Sequence, residues 1–334
     1  MVRFGDHMRS MHGFSLLDSQ TWGIRPGSET GEWADAFAHL LGLGPLDGLP
    51  DETIRLERIS PASVPDEGCP RAPRGCDGAG WHVRTSPFLE VWRRPAVREI
   101  VCGLHETADF LQVREQMRCA LFPVYDLTVR RGGLPLHCAL VERDGRGVLL
   151  VGRSGVGKST ACRRLPEGWN PLCDDLALAV RVPGGGFAAH PLPTWSAVGS
   201  DSEKHTWDIQ RGVRLSAIFF LAQSAEDEVL PAGKAVATVI LADAAMTIFR
   251  SVRVQDQSLE KKLLGGNAIA NAAAMAASVP SYILRLSLTG RFWEKMEEVL
   301  NRKPREIATG PILSQMARIC PEDEGVERAA PCPR

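Results

Sequence analysis

From Gly152 to Ser159 the chain reads Gly-Arg-Ser-Gly-Val-Gly-Lys-Ser, which fills every fixed position of the pattern G-x-x-x-x-G-K-[ST]. The spacing has a chemical purpose. Glycines let backbone N–H groups turn inward around a polyphosphate, where a side chain would block the approach. A helix opening near Lys158 adds its unpaired donors and its dipole to the same anion. Lys158 then reaches the β- and γ-phosphates, and the Ser159 hydroxyl is the expected Mg²⁺ ligand. Gly152, Arg153, Ser154, Gly155, Val156, Gly157, Lys158, Ser159 and Thr160 are therefore the candidate nucleotide-binding residues.

Asp174 follows Ser159 by fifteen positions in Leu172-Cys173-Asp174-Asp175-Leu176, where two carboxylates end a short apolar strand. A metal-holding aspartate at such a strand end is the usual companion of a phosphate loop. A pair also permits a division of labour, one carboxylate for Mg²⁺ and one to accept a proton from a nucleophile. Taken without the loop, the pair would read as a solvated turn. His137, on the apolar strand that precedes the phosphate loop, reads in isolation as a buried histidine bonded to backbone. Arg153 could neutralise charge on that phosphate, as could Arg211 or Arg214, which read more simply as surface arginines. His190 and Trp195 lie in a proline-rich segment, where Trp195 either lines the site or packs.

These residues need elements to hold them. The runs Leu136–Val141 and Gly147–Val151, joined at Asp144-Gly145, form a strand pair that feeds the loop. A helix leaves the loop over Thr160–Leu165. Further strands are expected at 171–173, 177–181, 215–221 and 282–286, with helices at 257–277 and 291–300. Helices alternating with apolar strands give an α/β class. Upstream, short strands at 81–84, 88–92 and 98–102 and a helix at 114–130 suggest a small α+β region over residues 81–131. Residues 1–80 are poorly patterned apart from a helix at 32–41. Residues 132–302 carry the loop domain, and 303–334, with its prolines and acidic run, reads as a partly disordered tail.

The 334 residues are 44% hydrophobic and 24% charged, the make-up of a globular protein with about two domains. Lys+Arg 39 against Asp+Glu 40 leaves a formal net charge of −1, so charge proposes neither nucleic acid nor an anionic membrane as partner. No signal peptide opens the chain and no apolar run reaches the ~20 residues of a membrane span, so the expected compartment is the cytoplasm. Nine cysteines without a C-x-x-C pair read as reduced structural thiols.

His137 on its strand, the Gly152–Ser159 loop and Leu172–Asp175 together resemble the catalytic domain of the HPr kinase/phosphorylase family. Arg211–Leu221 and Tyr282–Leu300 are similar to its shorter relatives encoded beside ribosomally made peptides, which include lasso-peptide tailoring kinases and the SynChlorMet cassette protein ScmC. The segment His190–Ser196 is most similar to the last of these. The resemblance spans about Gly132–Leu300. It implies an HPr-kinase-like P-loop core, a mixed sheet flanked by helices, that transfers the γ-phosphate of ATP, with Mg²⁺, to a hydroxyl, typically serine. The acceptor would be a ribosomally made precursor peptide or a small protein. Position by position, it makes Lys158 a phosphate-binding and catalytic residue, His137 a neighbour of the reacting phosphate and Asp174 the base. Ser159 and Asp175 would hold the metal, although Asp174 fits the metal role equally. The family forms hexamers, so a homo-oligomer is among the expectations.

The departures are specific. Thr160 stands where the family has glutamate after the loop serine, and Cys138 where it has glycine after the strand histidine. Of the second signature only Arg211-Gly212 remains. That region serves phosphorolysis in the family, so the expectation is a kinase alone, acting on something other than HPr. The alternative is a nucleotide-binding ATPase or regulatory subunit of a peptide-modifying complex without kinase activity. Neither an LSGGQ-like segment nor an N-K-x-D motif is present for an ABC-type or GTPase motor.

Overall fold

A computed structural model of the protein describes residues 11–59, 73, 76, 81–94, 97–198, 206–251 and 259–301. The tail beyond 302 and most of the irregular stretch 60–80 lie outside the described residues. The chain is α/β, with two mixed sheets flanked by helices.

The first sheet has seven strands: β1 (His12–Ser15), β2 (Thr21–Pro26), β3 (Gly44–Pro45), β4 (Glu52–Ile59), β5 (His82–Thr85), β6 (Leu89–Arg93) and β7 (Glu99–His105), in the order β3-β1-β2-β4-β7-β6-β5. Among the described residues, β2/β4 and β4/β7 are the parallel pairs of this sheet. A parallel pair needs a crossover, and α1 (Gly31–Leu40) lies between β2 and β4, burying Trp33, Ala34 and Phe37. The poorly patterned N-terminal stretch thus holds four strands. In β4 the alternation is plain, Ile54 and Leu56 being fully buried. The single helix expected over 114–130 is two, α2 (Phe110–Ala120) and α3 (Phe122–Arg130). Pro123 sits in the first turn of α3, where its missing N–H has no helical partner to lose.

The second sheet comprises β8 (Leu134–Arg143), β9 (Arg146–Val151), β10 (Asn170–Cys173), β11 (Leu176–Arg181), β12 (Phe187–Pro191), β13 (Val213–Gln223), β14 (Glu228–Pro231) and β15 (Ser281–Leu286). Asp144 and Gly145, with φ of 51° and 73°, make the tight turn between β8 and β9. Parallel pairing of β9 with β13 and of β13 with β15 forms the centre. The remaining pairs are antiparallel. Pairing runs β8–β11–β12–β13 and with β9 closes on itself as a ring, while β10 joins β8 and β14 joins β15 outside it.

Alternate residues of the central strands face two helical layers. Leu149, Val151, Ile218 and Phe220 pack against α5 (Lys234–Ser251) and α6 (Leu259–Ser278), where Ala237, Ala245, Ala268 and Ala272 are fully buried. Val148, Leu150, Phe219 and Leu221 face α4 (Lys158–Arg164) and α7 (Phe292–Leu300) through Ala161, Phe292 and Met296. A third cluster joins the sheets, with Phe14, Trp22 and Ile54 in one core with Leu176, Leu178 and Leu192. Helix α5 was not among the expected elements. Its apolar residues run around the whole helix, which removes the periodic signal while suiting burial.

Candidate functional site

The glycine loop lies between the end of β9 and the start of α4. Gly155 and Gly157 have φ of +82° and +109°, conformations that strain an L side chain. A Cβ at Gly155 would meet no atom within 4 Å, so the loop is open on that side. Arg153, Ser154 and Gly155 are exposed, whereas Val156, Gly157, Ser159 and Thr160 are half-buried. Gln223, at the end of β13, donates to Gly155 O at 3.2 Å.

Lys158 turns inward and is 6% exposed. Its Nζ donates to Gly152 O at 2.8 Å, to Arg153 O at 3.3 Å and to His137 Nε2 at 2.9 Å. Burial lowers its pKa, opposed chiefly by the charge of Asp175. Because an ammonium only donates, His137 Nε2 accepts, and the ring proton sits on Nδ1. That nitrogen lies 3.2 Å from Asp175 Oδ1. Burial alone would raise the Asp175 pKa, but the hydrogen bond from His137 and the charge of Lys158 hold it below the usual carboxylate value.

Strand register creates this chain of contacts. β10 and β11 both lie antiparallel to β8, with Cys173 opposite Leu140 and Leu176 opposite His137. The two aspartates occupy the bend between them, tied back by Cys138 N donating to Asp175 O at 3.1 Å. Along β8, His137 alternates with Cys138 and shares the face of Ala139 and Val141, which is the face α4 covers. The adjacent aspartates therefore have different surroundings. Asp175 meets His137, while Asp174 Oδ1 accepts from Thr194 Oγ1 at 2.5 Å.

The remaining candidates stand apart. Arg211 pairs with Glu142 at 2.8 Å and Arg214 donates to Gly185 O at 3.4 Å. Trp195 is buried in the core that joins the sheets. His190 accepts from Leu17 N at 3.0 Å through Nε2 and donates from Nδ1 to Ile209 O at 2.7 Å. Burial pushes its pKa down to about 4, so it is a neutral link between the sheets. Cys76, Cys102, Cys119, Cys138, Cys162 and Cys173 are buried thiols outside any disulfide. Burial raises the Cys162 and Cys173 thiols near the loop to about 12, which leaves them protonated and inert at neutral pH. Sequence reasoning missed Thr194 and Gln223. Thr194 belongs to the His190–Ser196 segment already singled out, but no spacing rule ties it to Asp174.

The donors fit a nucleotide and Mg²⁺ in kind. The open side of Gly155 leaves room for phosphate oxygens, and Lys158 supplies an ammonium from the first turn of the helix that follows the loop. Ser159, Asp174 and Asp175 offer the hard oxygen ligands Mg²⁺ prefers. Among the described residues no three His, Cys, Asp or Glu side chains gather as a cage. Mg²⁺ needs none when one or two carboxylates act with substrate phosphates. Among the described residues no helix is long and apolar enough to cross a membrane.

No curated protein matches the chain at a significant level. A family model matches from within β7 to the end of α7, more than half the length and including every residue of the site. Over residues 100–301 the chain belongs to the family of the SynChlorMet cassette protein ScmC.

Proposed function

We propose that this protein is a kinase that moves the γ-phosphoryl group of ATP to a hydroxyl, serine's, of a precursor peptide or small protein. The observation that carries the reading is the buried Lys158, held at the mouth of the glycine loop and linked through His137 to Asp175. The peptide acceptor and the choice of ATP come from the resemblance to HPr-kinase-like proteins.

In this reading the loop N–H groups and Lys158 bind and orient the β- and γ-phosphates, Lys158 exchanging its carbonyl partners for phosphate oxygens. That exchange releases His137 Nε2. With Nδ1–H held by Asp175, the imidazole can take the proton of the acceptor hydroxyl as the new O–P bond forms and the bond to ADP breaks. Asp175 orients the ring and balances the imidazolium. Asp174 and Ser159 would hold Mg²⁺, which when bound offsets charge on the phosphates.

The test is transfer of labelled γ-phosphate from Mg-ATP to the peptide encoded beside the gene, read by intact mass. One added phosphate, lost in Asp175→Asn, supports the kinase. Free phosphate released with an unmodified peptide would instead favour an ATP-driven regulatory subunit.

A further inference from the structure

Adjacent aspartates beside one loop face a problem of selectivity, since each could approach the same cation or the same proton. Here a third element separates them. After β12 the chain runs Pro191-Leu192-Pro193-Thr194, and Leu192 N donates to Leu176 O at 3.0 Å, which extends the ladder past the strand end. Two prolines restrict the backbone on either side of Leu192. Ala197 N closes a turn onto Thr194 O at 2.8 Å, and Trp195 is anchored in the core. Thr194 itself is 9% exposed, and its β-branched side chain has few rotamers. Its hydroxyl is therefore delivered by a rigid support, and it lies 2.5 Å from Asp174 Oδ1.

We infer that Thr194 is a positioning residue that fixes the carboxylate of Asp174, leaving the second oxygen, Oδ2, directed for the cation that accompanies the nucleotide. The inference deepens the proposed kinase function and rests on its nucleotide reading. The hydrogen bond engages one oxygen only, so Asp174 keeps acceptor capacity at the other. It also keeps Asp174 away from His137, which Asp175 occupies. Each carboxylate thus has one partner and one role, and Thr194 reaches the reaction only through Asp174.

The experiment is a titration of the full chain with the fluorescent analogue mant-ATP at a series of Mg²⁺ concentrations. Thr194→Val keeps the shape and removes the donor. The expected result is an increase of about tenfold in the Mg²⁺ needed for half-saturation, roughly the worth of one hydrogen bond to a charged group. Mant-ATP binding without Mg²⁺ should be unchanged, and Thr194→Ser should restore the wild-type value. Asp174→Asn should show the same defect, and the double variant should be no worse than Asp174→Asn alone, as residues acting through one another are not additive. Equal Mg²⁺ dependence in Thr194→Val and wild type would overturn the inference, as would additive effects in the double variant. If Thr194→Val does not fold, an unchanged Mg²⁺ dependence in Asp174→Asn overturns it on its own. Wild-type protein that binds no mant-ATP at any Mg²⁺ concentration would remove the nucleotide reading itself, a separate result.

Discussion

Lys158 and His137 meet at 2.9 Å, one from the first turn of a helix and the other from the middle of a strand in front of it. An ammonium beside a histidine is not an arrangement that stability alone favours, because the cation is desolvated and its strongest partners are neutral acceptors. Asp175 supplies the compensating charge from behind the imidazole. The three side chains form a line from the loop to the β10–β11 bend, and each prediction about turnover follows from breaking that line at a different place.

Replacing Lys158 by methionine removes the cation while keeping much of the volume. Turnover should fall by ~10²–10³, the usual loss for one preorganised charge-stabilising donor. Without nucleotide, the thermal midpoint should be unchanged or higher, because burial disfavours the ammonium. Calorimetry and the transfer assay, run on the same preparation, check both halves. A midpoint several degrees lower would mean that Lys158 is structural.

Asp175→Asn keeps the shape and removes the charge that steadies His137. Phosphoryl transfer should drop by ~10²–10⁴, the range of a general base. Mant-ATP binding should change by only a few fold, because the loop is intact. The wild-type carboxylate, held below its ordinary pKa, adds stability above about pH 4 and loses it as pH falls through the folded-state value. Asp175→Asn should lack that acid-side loss, which denaturant titrations at pH 5 and pH 3 would show.

Gly155→Ala tests the open side of the loop. The positive φ strains the alanine by ~1–2 kcal/mol, and the new methyl meets no protein atom within 4 Å. The variant should fold with that modest loss of stability, while mant-ATP affinity falls more than tenfold, because the methyl takes up phosphate space. Equal affinities in variant and wild type would place the phosphates elsewhere.

His190 links the two sheets and must be neutral to do so. Its pKa, lowered by burial from 6.5 to about 4, means the unfolded chain takes up a proton that the folded chain refuses. The contribution is therefore complete above about pH 6.5 and is lost as pH falls toward 4. Between pH 7.5 and pH 5 the loss from this group is ~2 kcal/mol of unfolding free energy. Asp18, whose pKa burial raises, acts in the opposite sense, so the comparison needs His190→Gln as its reference. Urea titrations should show the steeper pH dependence in wild type, and parallel curves would refute the assignment.

What the sequence determined alone is what is contiguous. Gly152–Ser159 sits between a strand and a helix, and Asp174-Asp175 ends a short apolar strand. Both motifs were legible because loop, strand end and helix start are made by neighbouring residues whose types carry the geometry. The strand pairs around the loop were legible for the same reason, through alternation and the Asp144-Gly145 turn. The distant pairings were not. Nothing in the residue order says that Leu176 lies opposite His137, and that register alone decides which aspartate meets the histidine. Likewise, Thr194 reaches Asp174 only because β12 folds back beside β11. Of the N-terminal sheet, β5, β6 and β7 were legible as short strands, but β1 to β4 were not, because the parallel β2–β4–β7 core joins partners far apart in the chain, which local propensity cannot report. Residue types along one segment supply the chemistry, but its partners come from sheet register, a property of strands brought together only when the cores on both faces are buried.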